Sequence, residues 1–172
     1  PQDIQAEKPA TLWGAAKAHL EFSATRSRAK ALVRAYNPTL KADGWKSAHS
    51  VVEIVADDMP FLVDSITALL NSRNLTVHLV VHPVLKIKRD KAGKLVRVLS
   101  PNEPDTGATS ETMLRFEVSQ QPLEQLENIT KEITKTIKAV RASVEDWRPM
   151  RESMMAMIDE LTEKFKGIPS EV

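Results

Sequence analysis

The stretch Val51-Val52-Glu53-Ile54-Val55-Ala56-Asp57-Asp58-Met59-Pro60-Phe61-Leu62-Val63-Asp64-Ser65-Ile66-Thr67-Ala68-Leu69-Leu70 decides the fold. Ser50 to Ala56 is a β-branched run that predicts a buried strand. Leu62, Ile66, Leu69 and Leu70 then recur at helical spacing, which predicts a helix over Pro60 to Arg73. Proline is harmless in a first helical turn, because its missing N–H would lack a partner there anyway. The junction places Asp57 and Asp58 beside the unpaired amides of a helix start. Two chemistries fit. A small zwitterion would set its carboxylate on those amides, at the positive end of the helix dipole, and its ammonium on an aspartate. Alternatively, an aspartate accepts those N–H bonds itself, as a cap worth ~1 kcal/mol. From the residues alone the cap is preferred.

Outward from this unit, Leu75 to Arg89 reads as a long strand that Pro83 bends or holds at an edge. Asp90-Lys91-Ala92-Gly93 turns the chain into a strand at Leu95 to Leu99, and Ser100 to Ser110 reads as an exposed loop. Glu111 to Val118 alternates as a strand with one wet face. Leu123, Leu126, Ile129, Ile133, Ile137 and Val140 predict a long helix that Trp147-Arg148-Pro149 interrupts; a last helix follows over Met150 to Phe165. Upstream, Thr11 is expected to cap a helix to about Arg26, with Leu12, Ala16 and Leu20 on one face. Ala31 to Tyr36 is ambiguous: Lys30-Ala31-Leu32 looks helical, but Leu32 to Tyr36 reads as a short strand ended by Asn37-Pro38, which is the preferred reading, and Asp43-Gly44 as a turn.

This order predicts an α+β fold: a ferredoxin-like antiparallel sheet with helices on one face, plus an N-terminal helix and strand and an added C-terminal helix. A ferredoxin-like unit needs one more strand after its second helix. Leu32 to Tyr36 is expected to fill that slot from the front of the chain, beside Ser50 to Ala56. The expected divisions are a leader and helix over 1–30, the α+β domain over 31–147, and a C-terminal helix over 148–172. That helix would pack on the domain or lead to the next one.

The chain has 172 residues, 42% of them hydrophobic, a net charge of +1 and no cysteine. Near-neutral charge argues against nucleic acid or an acidic membrane surface as partner. The lack of cysteine removes disulfides and thiolate chemistry and fits a cytoplasmic setting. No apolar run reaches the roughly 20 residues of a membrane span. The start, Pro1-Gln2-Asp3-Ile4, lacks methionine and any signal-peptide pattern, as expected of a piece of a longer protein.

No nucleophile motif, phosphate loop or catalytic carboxylate pair is visible, so no catalytic residue is expected. His78 and His82, four apart on a strand, share a face, but a third ligand is missing and no metal site is expected. A structural role suits them better, with His82 bonding at the bend and His78 half-buried. Lys86, Lys88, Arg89, Lys91, Lys94 and Arg97 gather on one hairpin without interleaved aromatics, which fits a solvated edge better than an RNA surface. Met150, Met154, Met155 and Met157 suit either a soft docking surface or helix core. A free-standing enzyme on this scaffold and a nucleic-acid-binding module are the competing readings.

The junction Asp58-Met59-Pro60-Phe61-Leu62-Val63-Asp64-Ser65-Ile66 resembles that of ACT domains, ferredoxin-like regulatory modules that commonly bind amino acids. More of the chain shares motifs with one family: Tyr36-Asn37-Pro38, Asp43-Gly44-Trp45, the strand from His49 to Val55, Asp57 to Ser65, Val77 to Leu85, Arg89 to Gly93 and Asp146-Trp147. In order, these resemble the N-terminal ACT-like region of large NAD-specific glutamate dehydrogenases. The resemblance implies a non-catalytic regulatory or assembly domain. The parent would be an NAD-dependent oxidoreductase that deaminates glutamate to 2-oxoglutarate, with NAD bound elsewhere in the chain. Expected partners are the remaining parent domains and further copies through a sheet edge or helices. The alternative is an allosteric amino-acid sensor whose ligand site comprises Asp57, Asp58, Met59, Pro60, Phe61, Leu62 and Asp64. ACT domains usually carry glycine after the proline. Phe61 stands there, and its ring is expected to fill the ligand's place, which favours assembly over sensing.

Overall fold

The computed structural model describes residues 8–100, 102–104 and 107–165. The elements in chain order are α1 (Pro9–Phe22), β1 (Leu32–Tyr36), α2 (Leu40–Asp43), β2 (Ser50–Asp57), α3 (Leu62–Ser72), β3 (Val77–Val81), β4 (Val84–Arg89), β5 (Leu95–Val98), β6 (Thr109–Val118) and α4 (Leu123–Phe165).

The sheet is antiparallel throughout, in the order β1-β2-β6-β4-β5, with β3 also on β6. β2 pairs with β6 along its whole length, from Ser50↔Val118 to Asp57↔Glu111. β3 and β4 line the other flank of β6 end to end, broken at His82-Pro83. The proline thus splits the long predicted strand in two. β1 takes the open edge of β2, Leu32↔Val55 to Tyr36↔Val51, so the vacant ferredoxin-like slot is filled from the front of the chain as expected.

Strand alternation divides the sheet into two unlike faces. On the inner face, Val52, Ile54, Leu114 and Phe116 pack against Leu62, Ile66 and Leu70 of α3 and Leu126, Ile129, Ile133 and Ile137 of α4. The outer face carries Val51, Glu53, Arg115 and Glu117, with Arg34 and Tyr36 alongside on β1. α1 lies across this outer face: Ala15 and Ala18 pack with Trp45, Val51 and Tyr36, and Arg34 donates to the Ala18 carbonyl at 3.0 Å. β6 is therefore buried from Glu111 to Phe116 on both faces, and its expected wet side is roofed.

Three local predictions shift. α1 begins at Pro9 with Lys8 as N-cap, and its buried positions are Ala15 and His19; Leu20 is exposed. The helix turns its small residues to the sheet because Trp45 already occupies the space there. α3 starts at Leu62, with Phe61 as N-cap. α4 runs unbroken for 43 residues through Pro149. Loss of one amide bond is tolerable where that part of the helix is exposed and water can satisfy the freed carbonyl.

Gly14 lets α1 approach. A Cβ there would lie 2.6 Å from the Trp45 Cβ, so a side chain of any size forces the helix off the sheet. Gly14→Ala should therefore destabilise the domain by about 1–3 kcal/mol, although the same exchange in an open helix stabilises by up to about 1 kcal/mol. A urea-denaturation midpoint that rises in the variant would contradict this packing.

A buried ion cluster and the strand-to-helix junction

β2 ends where its hydrogen-bonding register sets Asp57 opposite Glu111. Like charges facing each other across two strands repel. Arg26, only 2% exposed, resolves the conflict: its guanidinium reaches Asp57 Oδ1 at 2.6 Å and Glu111 Oε1 at 2.8 Å. Arg89 grips Glu111 with two parallel bonds, Nε to Oε1 at 2.8 Å and Nη2 to Oε2 at 2.9 Å. Arg141 of α4 donates to Asp57 Oδ2 at 2.8 Å. Three guanidiniums thus share two carboxylates and join the α1–β1 connection, β2, β4, β6 and α4.

The backbone around the cluster is equally committed. Arg26 donates its Nη1 to the Lys30 carbonyl, and Arg89 its Nη1 to the carbonyls of Ser23 and Gly93. Gly93, at φ +83°, closes the β4–β5 turn with its own alpha carbon against the Arg26 backbone; a Cβ would meet the Arg26 carbonyl oxygen at 2.4 Å. Burial opposes ionisation of Asp57 and of Glu111, but hydrogen bonds from Arg26 and Arg141 on the first, and from Arg89 and Arg26 on the second, overcome it. Both carboxyl groups are held below their ordinary range.

The structure spreads the junction residues over several roles. Asp57 is half-buried with both oxygens in ion pairs. Asp58 is exposed, and its amide donates to the Ser110 carbonyl at 3.0 Å. Neither aspartate makes a side-chain bond to the start of α3, so the expected aspartate cap is absent. Met59 is half-buried against the inner core, Pro60 is exposed, and Leu62 is buried in that core. Phe61 adopts φ +65°, the left-handed conformation that favours glycine. A glycine at this position would adopt it without the steric cost that a Cβ brings. The Phe61 ring is 67% exposed and, with Asp64, lines an open groove against Ala139 and Val140 of α4. The exposed ring leaves this groove open, where the sequence predicts that it fills the ligand's place.

The remaining sequence candidates also separate. His78 is exposed and stacks on His49, ring centroids 4.0 Å apart, while His82 stands exposed at the break between β3 and β4. Among the described residues no cluster of His, Asp and Glu could hold a metal ion. Of the hairpin cations, Arg89 belongs to the ion cluster and Arg97 pairs with Glu103; Lys88, Lys91 and Lys94 are solvated. Sequence reading missed Arg26, Arg141 and Glu111. Only Glu111, a charge within the buried run of β6, carried a local signal; Arg26 lies in the α1–β1 connection and Arg141 on a half-exposed turn of α4.

Two measurements test these electrostatics. Arg26→Gln leaves Asp57 and Glu111 opposed without their bridge and should cost about 3–5 kcal/mol in chemical denaturation; a loss below about 1 kcal/mol would mean the cluster is a spectator. His19 on α1 is buried and its pKa is lowered from 6.5 to about 4, chiefly by burial. Between those values the unfolded chain carries the extra proton, so stability falls as pH drops from 6.5 to about 4 and this contribution is exhausted below. The loss amounts to roughly 3 kcal/mol and should largely vanish in His19→Leu; an unaltered pH profile in that variant would contradict it.

The glutamate dehydrogenase ACT1 domain family matches residues 1–133. Over 131 residues, 75% of this chain, the sequence is 40% identical to an NAD-specific glutamate dehydrogenase of Halomonas elongata. Over 140 residues, 81% of the chain, it is 30% identical to an NAD-specific glutamate dehydrogenase of Pseudomonas aeruginosa. The matched regions are 8% and 9% of those curated relatives, so the chain corresponds to a small part of each. The antiparallel sheet with its borrowed edge strand, the ACT-like junction at Asp58 to Ile66 and these matches agree: the chain belongs to the glutamate dehydrogenase ACT1 domain family.

Proposed function

We propose that this chain is a non-catalytic regulatory and assembly domain of an NAD-dependent glutamate dehydrogenase in the cytoplasm, whose NAD and catalytic groups lie in other domains. The parent reaction would be oxidative deamination of L-glutamate to 2-oxoglutarate. One observation carries the assembly reading. Beyond Val140, the last buried apolar residue of α4 among those described, the helix continues with Trp147, Met150, Met154, Met157, Ile158 and Leu161 all about half exposed or more. A purely solvated helix has little use for six large apolar side chains. Methionines suit such a surface because their flexible thioethers repack against a partner. In this reading residues 31–147 are the ACT-like unit, residues 1–30 bring the helix that roofs its outer face, and residues 148–172 lead to a neighbouring domain or copy.

Amino-acid sensing at Asp57, Asp58, Met59, Pro60, Phe61, Leu62 and Asp64 is the alternative. The exposure of Asp58 and Asp64 supports it. The two arginines already on Asp57 favour assembly instead, since a ligand ammonium would have to displace one of them.

The test uses the parent enzyme. Met154→Glu with Ile158→Glu, placed on the exposed part of α4, should lower its assembled mass in light scattering or the melting temperature of its catalytic part. Unchanged mass and melting would refute assembly through this helix. Calorimetry with a panel of amino acids addresses the alternative: saturable binding abolished by Asp58→Ala would establish sensing in its place.

A further inference from the structure

The outer sheet face holds a cleft of ≈ 600 Å³ at the N-terminal end of α1, bounded by Thr11, Trp45, His49, His78, Arg115 and Glu117. Its inner wall is unusual in its hydrogen bonding. Trp45 is 2% exposed and its Nε1 has no acceptor; Arg115 is 8% exposed and its Nε has none either. Buried donors are ordinarily paired, and one left without a partner costs about 1–3 kcal/mol.

The sheet register explains why these donors are spare. Arg34, Glu53 and Arg115 stand side by side across β1, β2 and β6. The single carboxylate between the two arginines is already taken: Arg34 bonds Glu53 Oε2 at 2.7 Å and the Tyr36 hydroxyl bonds Oε1 at 3.2 Å. Arg115 is left to a 3.2 Å contact with Glu117 and a position 5.6 Å over the Trp45 ring. Glu117 is itself engaged by the Ser47 hydroxyl at 2.9 Å. Lys8 and Lys46 add positive charge to the rim, so cations outnumber carboxylates around the opening. The stacked rings of His49 and His78 add a flat aromatic surface to the lining.

We propose that this cleft binds a small organic anion, whose carboxylate or phosphate group accepts from Arg115 and the Trp45 indole while its body lies against the His49–His78 stack. A guanidinium and an indole N–H are donors without acceptor capacity, so they select an oxyanion over a cation. The site includes none of the residues of the 57–61 loop and does not depend on the assembly reading.

The experiment titrates the full 172-residue chain with acetate and succinate in one arm, and inorganic phosphate and glycerol phosphate in the other. It follows the Trp45 indole N–H resonance by two-dimensional NMR. The expected result is a saturable shift in at least one arm, which also identifies the anion class. Arg115→Gln should weaken that binding about tenfold or more, and Trp45→Phe, which keeps a ring but loses the donor, about threefold to tenfold. Glu117→Gln removes a competing carboxylate and should tighten binding. If Arg115→Gln fails to fold, the opposite signs expected of Trp45→Phe and Glu117→Gln still decide the matter. No saturable shift up to about 50 mM of any probe, or equal affinity in all three variants, would overturn the proposal. Neither result bears on the light-scattering test of α4.

Discussion

Arg26 between Asp57 and Glu111 is the constraint on which the rest of the fold depends. The register that aligns the apolar residues of the two central strands also sets two carboxylates face to face. A slip of one residue would separate the acids but turn every core side chain to the wrong face. The chain keeps the register and imports a cation from the segment between α1 and β1. Arg26 thereby ties down the connection that delivers β1 to the open sheet edge and α1 to the outer face. Arg89 and Arg141 complete the carboxylates' bonding, so neither Asp57 nor Glu111 is left unpaired. A buried ion cluster is often no more stable than an apolar filling of equal volume. Its value here is that it fixes which segments may meet.

The two sheet faces solve different problems with the same strands. Even-numbered positions of β2 and β6 make an ordinary apolar core with α3 and α4. Odd-numbered positions mix Val51, Val55 and Met113 with the charged Glu53, Asp57, Glu111, Arg115 and Glu117, and α1 packs on this side against Val51 and Arg34. Burial pushes the Glu53 carboxyl pKa up, partly offset by Arg34, and pushes the Tyr36 hydroxyl up as well. Such a face is stable only if its charges neutralise one another, and the row Arg34–Glu53–Arg115 does so incompletely, two cations to one anion. The surplus donor capacity follows from the register and is concentrated beside the cleft.

Much of the architecture was legible because it is written locally. The β-branched run of β2, the spacing of Leu62, Ile66 and Leu70, the Asp90–Gly93 turn and the apolar ladder of α4 each specify an element without reference to distant residues. The edge role of Leu32 to Tyr36 was also recoverable, from counting strands in a fold that needs one more. The site was not legible to the same degree. Asp57 sits in a motif that advertises a helix cap or a ligand, but its partners lie 31 and 84 residues away in sequence. Nothing local marks Arg26 or Arg141 as those partners. The face that α1 turns to the sheet depends on Trp45, which packs against Gly14 and Ala15. Pro149 misled for a related reason: a proline ends a helix reliably only where the surrounding structure cannot satisfy the carbonyl it frees.

The length of α4 bears most directly on what the domain does. Forty-three residues of α-helix span about 65 Å, whereas the eight residues of β2 span about 27 Å. Burial on the sheet ends at Val140, and Arg141, the next residue, is bound to Asp57. The remaining turns have no apolar partner within the described residues. Packing of an apolar face, more than propensity, keeps most helices formed in proteins, and a short solvated helix is marginal alone. The distal half gains some support from continuity with its rooted half and from ion pairs such as Lys164–Glu160. Those pairs are exposed and worth little. The helix is anchored at one end by the half-buried Arg141 and is apolar at the other, so on the proposed assembly reading a partner on Trp147 to Leu161 would be held at a distance and angle set by Arg141 and the sheet beneath it.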